Sequence, residues 1–148
     1  MKRLLLILLL ACAPAVAQAE TFTFKTTNKP IDGVQLAPSG APGSRPSGAN
    51  VFTVATVTTY ADGKVLQSSG KCAQWILPVG DPFGSNGVCL YKDGAVDSYS
   101  VSYTCEPPAN NGNNCWGKLI GLGGAFKGRT GLIAFHSGQN PQGTGLWN

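Results

Sequence analysis

Twice between Val51 and Cys105 the chain runs out as a string of β-formers, turns at an Asp-Gly pair and runs back. Val51–Tyr60 is dense in β-branched residues, which restrict χ1 and pack well on a pleated surface. Asp62-Gly63 follows, a pair that tolerates the positive φ of a tight hairpin, and Val65–Trp75 returns as its partner. A second hairpin joins Gly87–Lys92 to Ala95–Cys105 through Asp93-Gly94. In that last run Asp97, Tyr99, Val101, Tyr103 and Cys105 fall on one face, and Ser98, Ser100, Ser102 and Thr104 on the other. This is the two-residue period of a strand with one packed and one wet side. No helical spacing interrupts the series, so a run of antiparallel hairpins is predicted.

The flanking segments extend the pattern. Thr21–Thr27 alternates, with Phe22 and Phe24 on one side. Asn28–Asn50 reads as a long Pro/Gly/Ser-rich loop, with room for a short strand around Val34-Gln35-Leu36, and Ile76–Asn86 as a second loop broken by Pro78 and Pro82. Cys115–Leu122 and Arg129–His136 read as strands, and Gly143–Trp147 as a final edge or a closing strand. About seven or eight strands in this length suit a small antiparallel barrel, closed or nearly closed, because closure removes exposed edges. The expected class is all-β, with residues 20–148 as a single barrel domain.

Residues 1–19 read as a signal peptide. Met1-Lys2-Arg3 precedes the apolar run Leu4–Ala11, and Ala17-Gln18-Ala19 offers small residues for cleavage before Glu20. The run is shorter than the roughly 20 residues of a membrane-spanning helix. Leu9-Leu10-Ala11-Cys12 competes as a lipobox, in which Cys12 would be lipidated and the protein membrane-anchored as a lipoprotein. The expected location is periplasmic or secreted. Of 11 Lys and Arg, Lys2 and Arg3 leave with the signal, so nine dispersed cations face seven anions. Nucleic-acid binding needs clustered positive charge, so no nucleic-acid partner is expected.

Four cysteines remain: Cys72, Cys89, Cys105 and Cys115. In an exported chain an even number reads as two disulfides. Three pairings are open; local geometry favours Cys105 with Cys115 around an Asn-rich loop, leaving Cys72 with Cys89. Zinc is the rival, but there is no CxxC pair and His136 is the only histidine, so no metal site is expected. Phosphate loops, dinucleotide fingerprints and calcium loops are absent, and no cofactor is implied.

Gly121–Gly131 (Gly-Leu-Gly-Gly-Ala-Phe-Lys-Gly-Arg-Thr-Gly) resembles the glycine-rich turn of the allene oxide cyclase-like and dirigent-like barrels. Phe126 matches the aromatic of that motif, and Gly124, Gly128 and Gly131 its permissive positions; the Thr-Gly that often precedes the aromatic is lacking. The order of strands, cysteines and turn is similar to small exported bacterial members, from roughly Val51 to the end. The resemblance implies a barrel that holds a reactive apolar ligand and steers its cyclisation or coupling, often as a trimer. Catalytic residues of such proteins lie outside the turn motif, so none carries over to this chain.

Candidate chemistry is sparse. His136 is the only imidazole and lies at a predicted strand end, where barrel mouths meet ligands; the competing reading is a solvent-facing strand-end histidine. Asp97 beside Tyr99 and Tyr103 would orient or protonate a ligand if their shared face lines the interior; against this stands a surface Asp beside two packed tyrosines. Tyr99, Tyr103, Trp116 and Phe135 are the candidate pocket residues. Trp75, Trp116 and Trp147 otherwise serve as core filling or caps of the barrel ends. The function expected is binding of a small, largely apolar molecule, with or without chemistry upon it. A non-enzymatic carrier or calycin-type inhibitor and a structural, envelope-associated oligomer are the alternatives.

Overall fold

A computed structural model describes residues 19–36, 47–93, 96–108, 112–138 and 140–148. The expected signal segment up to residue 18, with Cys12, and the middle of the first expected loop lie outside the described residues. The chain forms eight antiparallel strands in sequence order: β1 (Glu20–Gln35), β2 (Gly48–Tyr60), β3 (Val65–Ile76), β4 (Ser85–Asp93), β5 (Val96–Cys105), β6 (Asn113–Gly121), β7 (Thr130–Ser137) and β8 (Gln142–Trp147). Each pairs with its neighbours, and β8 returns to β1 with Trp147 opposite Glu20 and Thr144 opposite Thr23. The tail therefore closes the barrel.

The alternation seen in the sequence becomes inside and outside. Val54, Thr56, Thr58 and Tyr60 of β2 point inward and are buried, while Thr53, Ala55, Val57 and Thr59 face out. One expectation is corrected. Asn28–Asn50 is not all loop: β1 continues to Gln35 and pairs with β2 from Gly48 onward. The ladder shifts register between Pro30 and Asp32, so the proline, which has no N–H to donate, sits at an irregularity.

One end of the barrel is plugged. After β6 a 3-10 turn (Gly124–Phe126) carries Phe126 under the sheet, with Gly124 at φ 56° and Gly128 at φ 79°, conformations that favour glycine. The Phe126 ring meets Trp147 at 4.8 Å and Tyr99 at 5.2 Å between centroids, and Tyr60 and Phe22 pack at 5.7 Å. Outside this plug Arg129 lies over the Trp147 ring, with its Nη1 2.7 Å from Glu20 Oε2. The expected mature N-terminus is thus tied to the last strand.

Both disulfides join directly opposed residues of adjacent strands: Cys72–Cys89 between β3 and β4, and Cys105–Cys115 between β5 and β6. All four cysteines point inward and are buried. By chain entropy each bridge contributes about 3 kcal/mol. Replacing Cys72 and Cys89 together by alanine should lower the unfolding free energy in urea by about that amount while the strand spectrum is kept.

Candidate functional site: the barrel lumen

Eight strands enclose an interior that side chains can fill completely. Here they do not, because four inward aromatic residues stand directly opposite inward glycines on the next strand. Tyr91 faces Gly70, Tyr103 faces Gly87, Phe135 faces Gly143 and Phe22 faces Gly145. A Cβ built at Gly87 would collide with the Tyr103 ring and hydroxyl, one at Gly145 with the Phe22 ring, and one at Gly70 would lie 3.1 Å from Tyr91 Cδ1. The rings of Tyr91, Tyr103 and Phe22 thus lie close along the wall, each over a neighbour without a side chain.

What remains is a cavity of about 340 Å³, within the size range of small-molecule sites. Its sides are Phe24, Phe52, Leu66, Tyr91, Tyr103 and Phe135. Burial falls from the plugged end, where Phe22, Tyr60, Tyr99 and Trp147 are enclosed, to the half-buried Phe24, Phe52, Tyr103 and Phe135. At the other end stand Asn28, Gln74, Asn113 and Ser137, a polar rim beneath the loops that follow β3, β5 and β7. The site is a blind apolar pocket with a polar mouth. No Asp, Glu, Lys, Arg or His is among the described residues that line it.

Most lumen hydroxyls are paired within the protein. Thr26 Oγ1 lies 2.8 Å from Thr56 Oγ1, which lies 3.3 Å from Tyr91 Oη, and Ser68 Oγ lies 2.9 Å from Tyr99 Oη. The Trp147 indole bonds Tyr60. The hydroxyls of Tyr103 and Thr58 have no hydrogen-bond partner among the described residues. Burial raises the pKa of Tyr60, Tyr91, Tyr99 and Tyr103, which are all the tyrosines of the chain.

Of the residues singled out in the sequence, Tyr99, Tyr103 and Phe135 meet in this lumen, Tyr103 and Phe135 edge to face at 5.4 Å. Asp97, Trp116 and His136 do not line it. The expected shared face of Asp97 and Tyr99 is corrected by a bulge. Tyr91 pairs with Tyr99 but Lys92 with Asp97, which leaves Ser98 as an extra residue. Below it parity flips, Ser98 is buried, and Asp97 sits outside, 3.6 Å from Lys92 Nζ and about half exposed. Trp116 follows inward Cys115 and so faces out, 45% exposed, against Phe83 at 6.4 Å. His136 likewise follows inward Phe135, and its Nδ1 lies 3.2 Å from Asn114 Oδ1 on the outer wall.

Among the described residues no three His, Cys, Asp or Glu side chains converge to hold a metal. The lumen residues that sequence reasoning missed are Phe24, Phe52, Leu66, Tyr91 and the inward glycines. For Phe24 and Tyr91 a signal existed, in their alternation with outward residues. Comparison with family models, curated proteins and solved structures finds no match.

The raised phenols carry a pH consequence. An unfolded tyrosine titrates at its ordinary value of 10.0, whereas all four folded ones titrate higher. Their contribution to stability is fully present below pH 10 and is lost as pH rises through the folded values. Tyrosinate absorbance of the native protein at pH 10.0 should therefore stay well below that of unfolded chain, which is half-ionised there, and should rise together with unfolding at higher pH.

Proposed function

We propose that this protein binds a small, neutral, largely apolar molecule in the barrel lumen. The observation that carries this reading is the cavity of about 340 Å³ walled by aromatic rings and, among the described residues, lined by no formal charge. A charged ligand entering it would lose hydration with no opposite charge to replace it, so neutral molecules are selected. Flat ones are favoured further, since the rings of Tyr103 and Phe135 offer an edge-to-face corner. The resemblance to allene oxide cyclase-like and dirigent-like barrels is in line with this reading. Any steering of cyclisation or coupling would rest on confinement and orientation, because the described lumen residues include no near-neutral acid or base. The two disulfides and the signal-like N-terminus support a periplasmic or secreted location.

The outer wall supports a second reading alongside the first. Two apolar stripes flank the Ser100, Ser102 and Thr104 row of β5: Trp75, Val88 and Leu90 on one side, and Trp116, Ile120 and Leu132 on the other. Exposed apolar area of this kind supports self-association through the wall.

Binding is tested with N-phenyl-1-naphthylamine, a neutral dye that brightens in apolar surroundings. The protein should bind it, and Leu66→Trp, which fills the lumen from a half-buried position, should weaken binding by about tenfold or more with an unchanged strand spectrum. Asp97→Asn and His136→Ala should leave the affinity as it was. Undiminished binding by Leu66→Trp would place the dye on the outer wall and end the lumen reading.

A further inference from the structure

The ring of Tyr103 needs no hydroxyl to hold its place. Glycines face it on both adjacent strands, Gly87 on β4 and Gly117 on β6, and Phe135 abuts its edge at 5.4 Å. Phenylalanine would satisfy every one of these contacts. The hydroxyl is nonetheless present in an apolar cavity, where an unpaired polar group is costly and where the other three phenols have found partners. Its neighbours also fix its direction: a Cβ at Gly87 would strike Tyr103 Cζ and Oη, so the phenol lies over that glycine at the cavity wall. This is a positioned donor waiting for an acceptor that the described residues do not supply.

Resting on the lumen as ligand site, we infer that Tyr103 is the specificity-determining residue, donating its hydroxyl hydrogen to a carbonyl oxygen of a neutral, flat ligand. A carbonyl suits the site better than a charged acceptor, because it completes the bond without bringing an ion into a chargeless cavity. Burial holds the phenol in its protonated, donating form. Thr58 is the rival donor. Its side chain is 5% exposed, more enclosed than the half-buried Tyr103 on the side of the mouth.

The test uses the exported protein with both disulfides formed and two tricyclic probes of nearly equal size, fluorene and 9-fluorenone, which differ by one carbonyl. Dissociation constants are read from quenching of tryptophan fluorescence. On Tyr103→Phe the ratio of the fluorene constant to the fluorenone constant should fall about tenfold, the worth of one neutral hydrogen bond, while fluorene affinity itself is kept. Kept fluorene affinity also reports that the variant's lumen is intact. A ratio unchanged by Tyr103→Phe overturns the inference, as does a tenfold fall produced by Thr58→Val instead, and either result leaves the lumen reading standing. Failure of both probes to bind the unaltered protein sinks the lumen reading and this inference together.

Discussion

Everything the interior of this barrel can do depends on aromatic rings being laid against glycines. An eight-stranded barrel closes with just enough interior for side chains to fill it, so a hollow requires that volume be taken away. Truncating the aromatics would sacrifice the apolar surface on which stability depends. Instead the volume is removed from the strand opposite. Gly70, Gly87, Gly143 and Gly145 face Tyr91, Tyr103, Phe135 and Phe22, and the rings of Tyr91, Tyr103 and Phe22 occupy the space the missing side chains leave. Glycine within a strand weakens it, a cost covering by a ring offsets. β8, six residues long with two inward glycines, closes the barrel between β1 and β7 under this cover.

The two ends of the barrel divide stability from access. At the plugged end Phe126, Trp147 and Tyr99 pack ring on ring, with Tyr60 against Phe22 beside them, and the Arg129–Glu20 pair ties the first strand to the turn before β7. Toward the mouth the rings are only half-buried, and cohesion passes to covalent bonds. The Cys105–Cys115 bridge sits at the mouth ends of β5 and β6, while Cys72–Cys89 joins the neighbouring β3 and β4. Disulfides that project inward stiffen the wall without occupying the outer surface. They also add sulfur to the cavity lining, and no charge with it.

The strand series was legible in the sequence because β-branched runs and Asp-Gly corners are local signals. The disulfide pairs were legible because each spans a single hairpin. The failures have equally local causes. Asp97 shared a face with Tyr99 only by counting in twos, and one extra residue at Ser98 invalidates every count that crosses it, leaving the surface reading of Asp97. His136 follows Phe135, a pocket candidate, and in a regular strand consecutive side chains go to opposite sides, which favours its solvent-facing reading; Trp116 faces out because its neighbour Cys115 turns inward to meet Cys105. The far half of β1 carries Pro30 and Gly33 and lacks alternation, so only the β2 ladder makes it a strand. The inward glycines were hidden because, without a partner strand in view, glycine reads as a turn signal; the Gly-Thr-Gly of β8 shows its meaning only when Phe22 and Phe135 are seen opposite.

The bulge at Ser98 does more than mislead counting. By rotating Asp97 outward it removes the one carboxylate the β5 alternation would have placed beside Tyr99, and pairs it with Lys92 on the surface. The freed position is taken by Ser98, whose carbonyl accepts the N–H groups of Leu122 and Gly123 and so anchors the turn that carries Phe126 into the plug. The same irregularity therefore closes one end and keeps the Asp97 carboxylate out of the lumen. With phenols the only titratable groups among the described residues that line it, and those held protonated by burial, the cavity presents a single protonation state until strongly alkaline pH. Selection of a ligand then falls to shape, apolar area and neutral hydrogen bonds, terms that neither salt nor a change of pH near neutrality alters much.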